Sequence, residues 1–219
     1  MRVNERYLLL ILAQALSFLA VPAQAQWIGG IGVHNYWVGS RVADRENSSP
    51  YIGLYGTAGR IFPVGDRNAL FLGAEFGFGD SSGLRHGPGD LAHLEGQLSE
   101  GYLVVPILAG RSFPITDQLS LVPYAGPSVS LGLWSKMSID RNRDDWLREY
   151  GEEVNMYSAL SGYSRWFYGV RTGIAFLLPK ESGYMHVGAD FGLKNRYRGR
   201  IPDGTITTNR VFLSFNLLF

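Results

Sequence analysis

An all-β fold, an eight-stranded antiparallel up-and-down transmembrane β-barrel with short periplasmic turns and longer extracellular loops, is what three observations in this sequence predict. The chain closes on an alternating strand that ends in an aromatic residue, short strand-like segments recur along it, and the connections between them alternate in length. Stepping back by twos from Phe219 gives Leu217, Phe215, Leu213 and Val211, with Asn216, Ser214 and Arg210 among the residues between. A strand whose side chains alternate in this way has one apolar and one mostly polar face. In a soluble protein that apolar face would pack on a core; with a terminal aromatic it is also how outer-membrane barrel strands end. Phe215, Leu217 and Phe219 are therefore read as the membrane-insertion signal.

Residues 1–25 read as an export signal. Arg2 and Arg6 precede an apolar run that ends in Pro22-Ala23-Gln24-Ala25, a small-residue cleavage pattern before Gln26. The run is broken by Gln14 and is short for a membrane helix of about 20 residues. Residues 26–219 are then a single barrel domain. Losing Arg2, Arg6 and Glu5 takes Lys+Arg from 20 to 18 and Asp+Glu from 19 to 18. A near-neutral chain lacks the basic excess of a nucleic-acid binder, so no nucleic acid is expected as a partner. Without cysteine there is neither a disulfide nor a thiolate metal site, and no cofactor is expected.

The strand-like segments are 27–38, 51–61, 69–79, 101–112, 119–134, 163–177, 183–194 and 208–219. Each is rich in glycine, aromatic and β-branched residues and is long enough to cross a bilayer when tilted. Three connections are short and carry Pro63, Pro114 and Pro179; the others, 39–50, 80–100, 135–162 and 195–207, are longer and more polar. Short turns on the periplasmic side and long loops outside are the barrel arrangement, which puts both termini in the periplasm. In the third strand Leu70, Leu72, Ala74, Phe76 and Phe78 point to lipid and leave Glu75 among glycines inside. In the sixth, Trp166, Tyr168, Val170, Ile174 and Phe176 point out, with Arg165 and Arg171 turned in. In the seventh, Met185, Val187, Ala189, Phe191 and Leu193 oppose His186, Asp190 and Lys194. The segment 101–112 is apolar on both faces and taken alone equally suits a buried strand of a soluble sandwich.

Tyr102-Leu103-Val104-Val105-Pro106-Ile107-Leu108-Ala109-Gly110, Pro123-Tyr124-Ala125-Gly126-Pro127, the strand ending Gly192-Leu193-Lys194-Asn195, and Asn209-Arg210-Val211-Phe212-Leu213 leading to Phe219 together resemble the PorT-like outer-membrane β-barrel family. The likeness runs over the whole mature chain as a pattern of strands, with no catalytic motif in it. It implies a small barrel, comparable in architecture to OmpX and OmpA, and a link to protein secretion across the outer membrane. A protein partner in the cell envelope is expected on the same ground.

The inward charges are the main candidate site. Pairing Leu178 with Gly183 across the Pro179 turn, between the sixth and seventh segments, sets Arg171 opposite Asp190, about 5 Å away, and Glu75 lies within reach across a narrow lumen. Such a network fills the barrel, or lines a pore. His186, Asp190 and Ser214 share adjacent inward faces and raise the idea of a lipid-modifying enzyme, but nothing in the sequence sets a nucleophile beside a base, and no catalytic residue is assigned. His34 stands alone. Asp140-x-Asn142-x-Asp144 has the opening spacing of a calcium loop but carries Asp145 where glycine belongs and Gly151 where the closing Glu belongs, so no metal site is assigned. Residues 144–149 suit a short helix. Lys194, Arg196, Arg198 and Arg200 form a basic cluster that suits anionic outer-membrane lipid, or an ordinary hairpin loop. Tyr102, Trp134, Tyr163, Trp166 and Tyr168 are placed in an interfacial girdle. The leading function is a non-enzymatic structural or accessory barrel binding a partner through its loops or periplasmic rim. A small-solute channel, a lipid-modifying enzyme and a soluble lipocalin-like barrel follow in that order.

Overall fold

Alternation along each strand becomes the inside and outside of a closed wall. The computed structural model describes residues 25–42, 45–81, 96–139, 153–159, 163–178, 182–196 and 205–219. Eight long strands run in chain order: β1 (Gln26–Val42), β2 (Arg45–Val64), β3 (Asn68–Ser81), β4 (Gly96–Arg111), β6 (Leu119–Ile139), β8 (Trp166–Leu177), β9 (Gly183–Gly192) and β10 (Thr205–Leu218). Two short pieces, β5 (Phe113–Thr116) and β7 (Glu153–Asn155), and one helical turn, α1 (Met156–Ala159), lie between them. Each long strand pairs antiparallel with its chain neighbours among the long strands, and β1 pairs β10 from Ile28↔Leu218 to Arg41↔Thr205. The β4–β6 pairing completes a ring of eight. Backbone bonds between Trp27 and Phe219, in both directions at 3.1 and 2.8 Å, join the start of β1 to the end of β10 beside the short turns. A closed wall leaves no sheet edge along its seam.

The outside is apolar. Ile31, Val33, Leu54, Phe76, Phe78, Val129, Tyr168, Val187, Leu213 and Phe215 all stand exposed, while the residues between them are buried or glycine. Water is a poor solvent for so continuous an apolar band, and lipid is a good one. Phe215, Leu217 and Phe219 belong to this surface.

Strand length departs from the sequence reading. The segment 39–50, expected to be a loop, is strand on both sides of residues 43–44, and Gly96–Glu100 and Ser135–Ile139 extend β4 and β6 in the same way. At roughly 3.3 Å per residue, the 20 residues of β2 measure about 65 Å, and tilted at about 40° they rise about 50 Å, twice an apolar band of about 25 Å. Polar sequence therefore continues the ladder past the band. Pro50 sits in β2 one position beyond Tyr51↔Ser81, the last described pair with β3, and faces Trp37 of β1. Turns occupy residues 65–67 and 117–118, while Phe113–Thr116, expected to belong to a turn, is strand; Gly65 takes φ 70° between β2 and β3, a conformation that glycine adopts without strain.

The wall is irregular along β4, where the register with β6 shifts between Gly101 and Tyr102 and two ladders lapse further on. Pairing of β3 with β4 jumps from Leu72↔Ile107 to Glu75↔Val104, and pairing of β4 with β6 jumps from Pro106↔Ser128 to Ala109↔Ala125. Pro106, which has no N–H to give, sits in the first gap and borders the second.

Candidate functional site

The lumen is crossed by a knot of four charges contributed by four strands. Arg171 of β8 and Asp190 of β9 are direct cross-strand partners, as are Asp190 and Arg210 of β10; Glu75 reaches them from β3 on the opposite wall. Arg171 makes a two-pronged contact with each acid. Its Nη1 and Nη2 donate to the two oxygens of Glu75, the latter at 2.7 Å, and its Nε and Nη2 donate to the two oxygens of Asp190 at 2.7 and 2.9 Å. Arg210 donates to Asp190 through Nε at 2.8 Å and through Nη2, to Glu75 at 3.0 Å, and to the Tyr102 hydroxyl at 3.0 Å. Two acids face two guanidinium groups, so the cluster is balanced. Arg171 is fully buried and Glu75 nearly so. The face of Phe212 lies 4.6 Å from the Arg171 guanidinium carbon and 5.4 Å from that of Arg210. Flat cations between carboxylates and an aromatic face satisfy a guanidinium both in its plane and across it.

Glycine makes room for this filling. A Cβ at Gly173 or Gly188 would run into the Tyr124 hydroxyl, and one at Gly77 into the Tyr102 hydroxyl. Small inward residues opposite large ones let a narrow barrel close on packed side chains.

A second stopper lies nearer the long loops. Arg196, just past β9, is buried and donates to both oxygens of Glu100 at 3.3 and 3.4 Å, to Thr208 Oγ1 at 3.2 Å and to the Tyr157 hydroxyl at 3.3 Å. Tyr163 donates to Glu100 at 3.0 Å, and Phe167 stacks against the Arg196 guanidinium at 4.6 Å. Met137, Val154 and Met156, all buried, pack β7 and α1 alongside. Between the two stoppers remains a cavity of about 20 Å³, room for about one water.

Several sequence assignments are corrected here. Arg196 was grouped with Lys194, Arg198 and Arg200 as a lipid-facing cluster; instead it is buried against Glu100, 96 positions away in the chain. Lys194 donates to Ser164 Oγ at 3.0 Å and to the Trp166 carbonyl at 2.7 Å. Arg198 and Arg200 lie outside the described residues, as do 1–24, the Asp140–Asp144 spacing and the 144–149 segment. Tyr102 and Tyr163 face the interior rather than a girdle, because each hydroxyl has a charged partner inside; Trp166 and Tyr168 are exposed. Arg165, expected inside, is exposed just before β8 and lies over the Tyr157 ring at 4.7 Å. Arg210 and Tyr102 complete the charged knot, which the sequence reading limited to Glu75, Arg171 and Asp190. The signal available for Arg210 was its inward parity on the last strand.

The His186, Asp190 and Ser214 grouping does not form a relay. His186 Nδ1 lies 3.1 Å from the Tyr124 hydroxyl and Nε2 3.5 Å from that of Tyr55, Asp190 is held by two arginines, and Ser214 Oγ accepts from Asn216 Nδ2 at 2.6 Å. His34 is buried between the rings of Tyr55 and Tyr102. Among the described residues, no group of three or more His, Asp and Glu is placed to hold a metal.

No family model matches the chain, and no curated protein matches it in sequence. Solved structures match in fold. Neisserial surface protein A aligns with a TM-score of 0.50 at 11% identity, over 90% of this chain and 100% of that one. The fold is that of a small outer-membrane barrel. OprG of Pseudomonas aeruginosa aligns at 0.44 with 12% identity, over 90% and 96% of the two chains, and the outer-membrane enzyme PagL at 0.42 with 11% identity, over 84% and 98%.

Proposed function

We propose that this is an exported outer-membrane protein whose lumen is closed and whose work is done at its ends: a non-enzymatic structural or accessory barrel that binds a protein partner of the cell envelope. In this reading the signal is cleaved before Gln26, the short turns and both termini face the periplasm, and the long-loop end faces outward. The observation that carries it is the double stopper, Glu75–Arg171–Asp190–Arg210 below and Glu100–Arg196 above, which fills the path a solute would take. A set of buried, mutually paired charges resists opening, because parting any pair leaves an uncompensated charge in a site of low dielectric. The apolar outer band supports membrane residence, and the PorT-like strand pattern supports a secretion-linked task.

The test has two arms. The mature protein in planar bilayers should be silent, and sustained unitary conductance would overturn the closed lumen. Mild detergent extraction from outer membranes should bring a stoichiometric envelope protein with the barrel; repeated recovery of the barrel alone would overturn the accessory role.

A further inference from the structure

Below the charged knot the lumen changes character. Ile61, Phe71, Leu108, Val122, Leu177 and Leu218 line a cavity of about 360 Å³ at the short-turn end. All except Leu108 remain partly exposed although they line the lumen, since the cavity is not filled by the chain. Its inner end is bounded by Tyr124 and His186, which are hydrogen-bonded to each other, with the charges beyond. Gln26, Asp66, Arg67, Asn68 and Ser112 form its mouth. It is a blind apolar well with a polar rim, more than twice the roughly 150 Å³ of an apolar cavity known to take benzene, and within the range of about 300–1,000 Å³ for ligand sites.

We propose that this well binds a single-chain amphiphile, its alkyl tail inserted toward Tyr124 and its anionic head left at the rim beside Arg67. The wall itself selects this class. In a barrel the backbone N–H and C=O groups are spent on the neighbouring strands, so a peptide entering the well would find almost nothing to bond its own main chain and would bury it unsatisfied. An alkyl tail needs no such partner and covers surface that water solvates poorly. The head carries charge that the well cannot host, whereas the rim offers water and the Arg67 guanidinium next to the Asp66 carboxylate. A free fatty acid and an anionic lysophospholipid share this chemistry.

The full mature protein in nanodiscs would be equilibrated with labelled dodecanoate or, in a parallel arm, labelled lauroyl-lysophosphatidylglycerol, with empty nanodiscs subtracted. Saturable uptake of one molecule per barrel in either arm is expected, and the tighter arm identifies the source. Affinity should rise roughly fourfold per added methylene and then level off when the well is full. Ala175→Phe, which fills the well from β8, should weaken binding at least tenfold while the barrel keeps its heat-modifiable mobility; if that variant does not fold, Leu177→Trp at the mouth serves the same purpose. Arg67→Glu should weaken dodecanoate severalfold. Uptake no greater than in empty nanodiscs, no plateau with chain length, or unchanged binding in a folded filled-well variant would each overturn the proposal. Conductance and partner capture are independent of these readings.

Discussion

Where the long-loop half of the lumen is filled by charges and the aromatic faces laid against them, the short-turn half is lined by aliphatic side chains and left with about 360 Å³ of space. Both are interiors of the same narrow wall, yet they respond to damage differently. An apolar lining loses contacts in proportion to what is removed, and neighbours or solvent take up part of the change. A charged filling is all or nothing locally, since each member is tolerated only because the others are present. The comparison teaches that the closed end of this barrel is held by mutual dependence and the open end by area.

The strongest way to break that comparison is Glu75→Ala, which leaves two buried guanidinium groups facing one acid. Unfolding in urea, followed by heat-modifiable mobility in lipid, should show a loss of about 3–5 kcal/mol. Adding Arg171→Met to it should cost less than the sum of the two single changes, because the second removes a charge the first had stranded. A strictly additive double variant would mean that the four charges do not act as one group. Leu108→Ala, in the apolar half, should cost about 2 kcal/mol by the same assay, near the low end for leucine truncation because the site already adjoins open space. If it cost as much as Glu75→Ala, the two halves would not differ in kind.

Smaller effects sharpen the contrast at the upper stopper. Tyr157→Phe removes one hydroxyl from Arg196 and should cost about 1 kcal/mol. Burial, with Glu100 nearby, pushes the Tyr157 phenol up to about 12, above the roughly 10 expected when unfolded. A phenol raised in the folded state contributes stability that is fully present below pH 10 and fades as pH climbs toward 12. The wild type should therefore show a decline over that interval that Tyr157→Phe lacks. Identical alkaline limbs in both proteins would exclude this contribution. The least effect belongs to Lys136→Ala. Its 3.1 Å pair with Glu153 joins side chains that are 55% and 62% exposed, and a change below about 1 kcal/mol, shrinking further in salt, is expected.

Much of this architecture was legible because a barrel is written in parity. Once Leu178 and Gly183 flank a short turn, counting outward sets Arg171 across from Asp190, and the strand list follows from alternation and turn residues alone. Which residues from distant strands share a level is a different matter. It depends on the stagger of all eight strands, and no local pattern carries that sum; Glu75 was within reach of a guess, whereas Arg210 was seen only as one polar position on the last strand. Tyr102 was misplaced because β4 is apolar on both faces, so its parity could not be read. Arg196 was misplaced because a run of alternating basic residues looks like surface until Glu100, from another hairpin, is known to stand beneath it. The cavity left no sequence signal, since aliphatic residues at inward positions look the same whether or not the space between them is filled.

The lapse in pairing around Pro106 has a consequence in time rather than in space. In β4 the ladder toward β3 lapses at residues 105–106 and the ladder toward β6 at the next two, 107–108, while β1 is laced continuously to β2 and β10. Amide protons exchange with solvent at the rate at which their bonds open, so deuterium should enter at the middle of β4 long before it enters β1. The wall would then breathe along β4, and a first excursion from the closed ring would begin there, beside the apolar well.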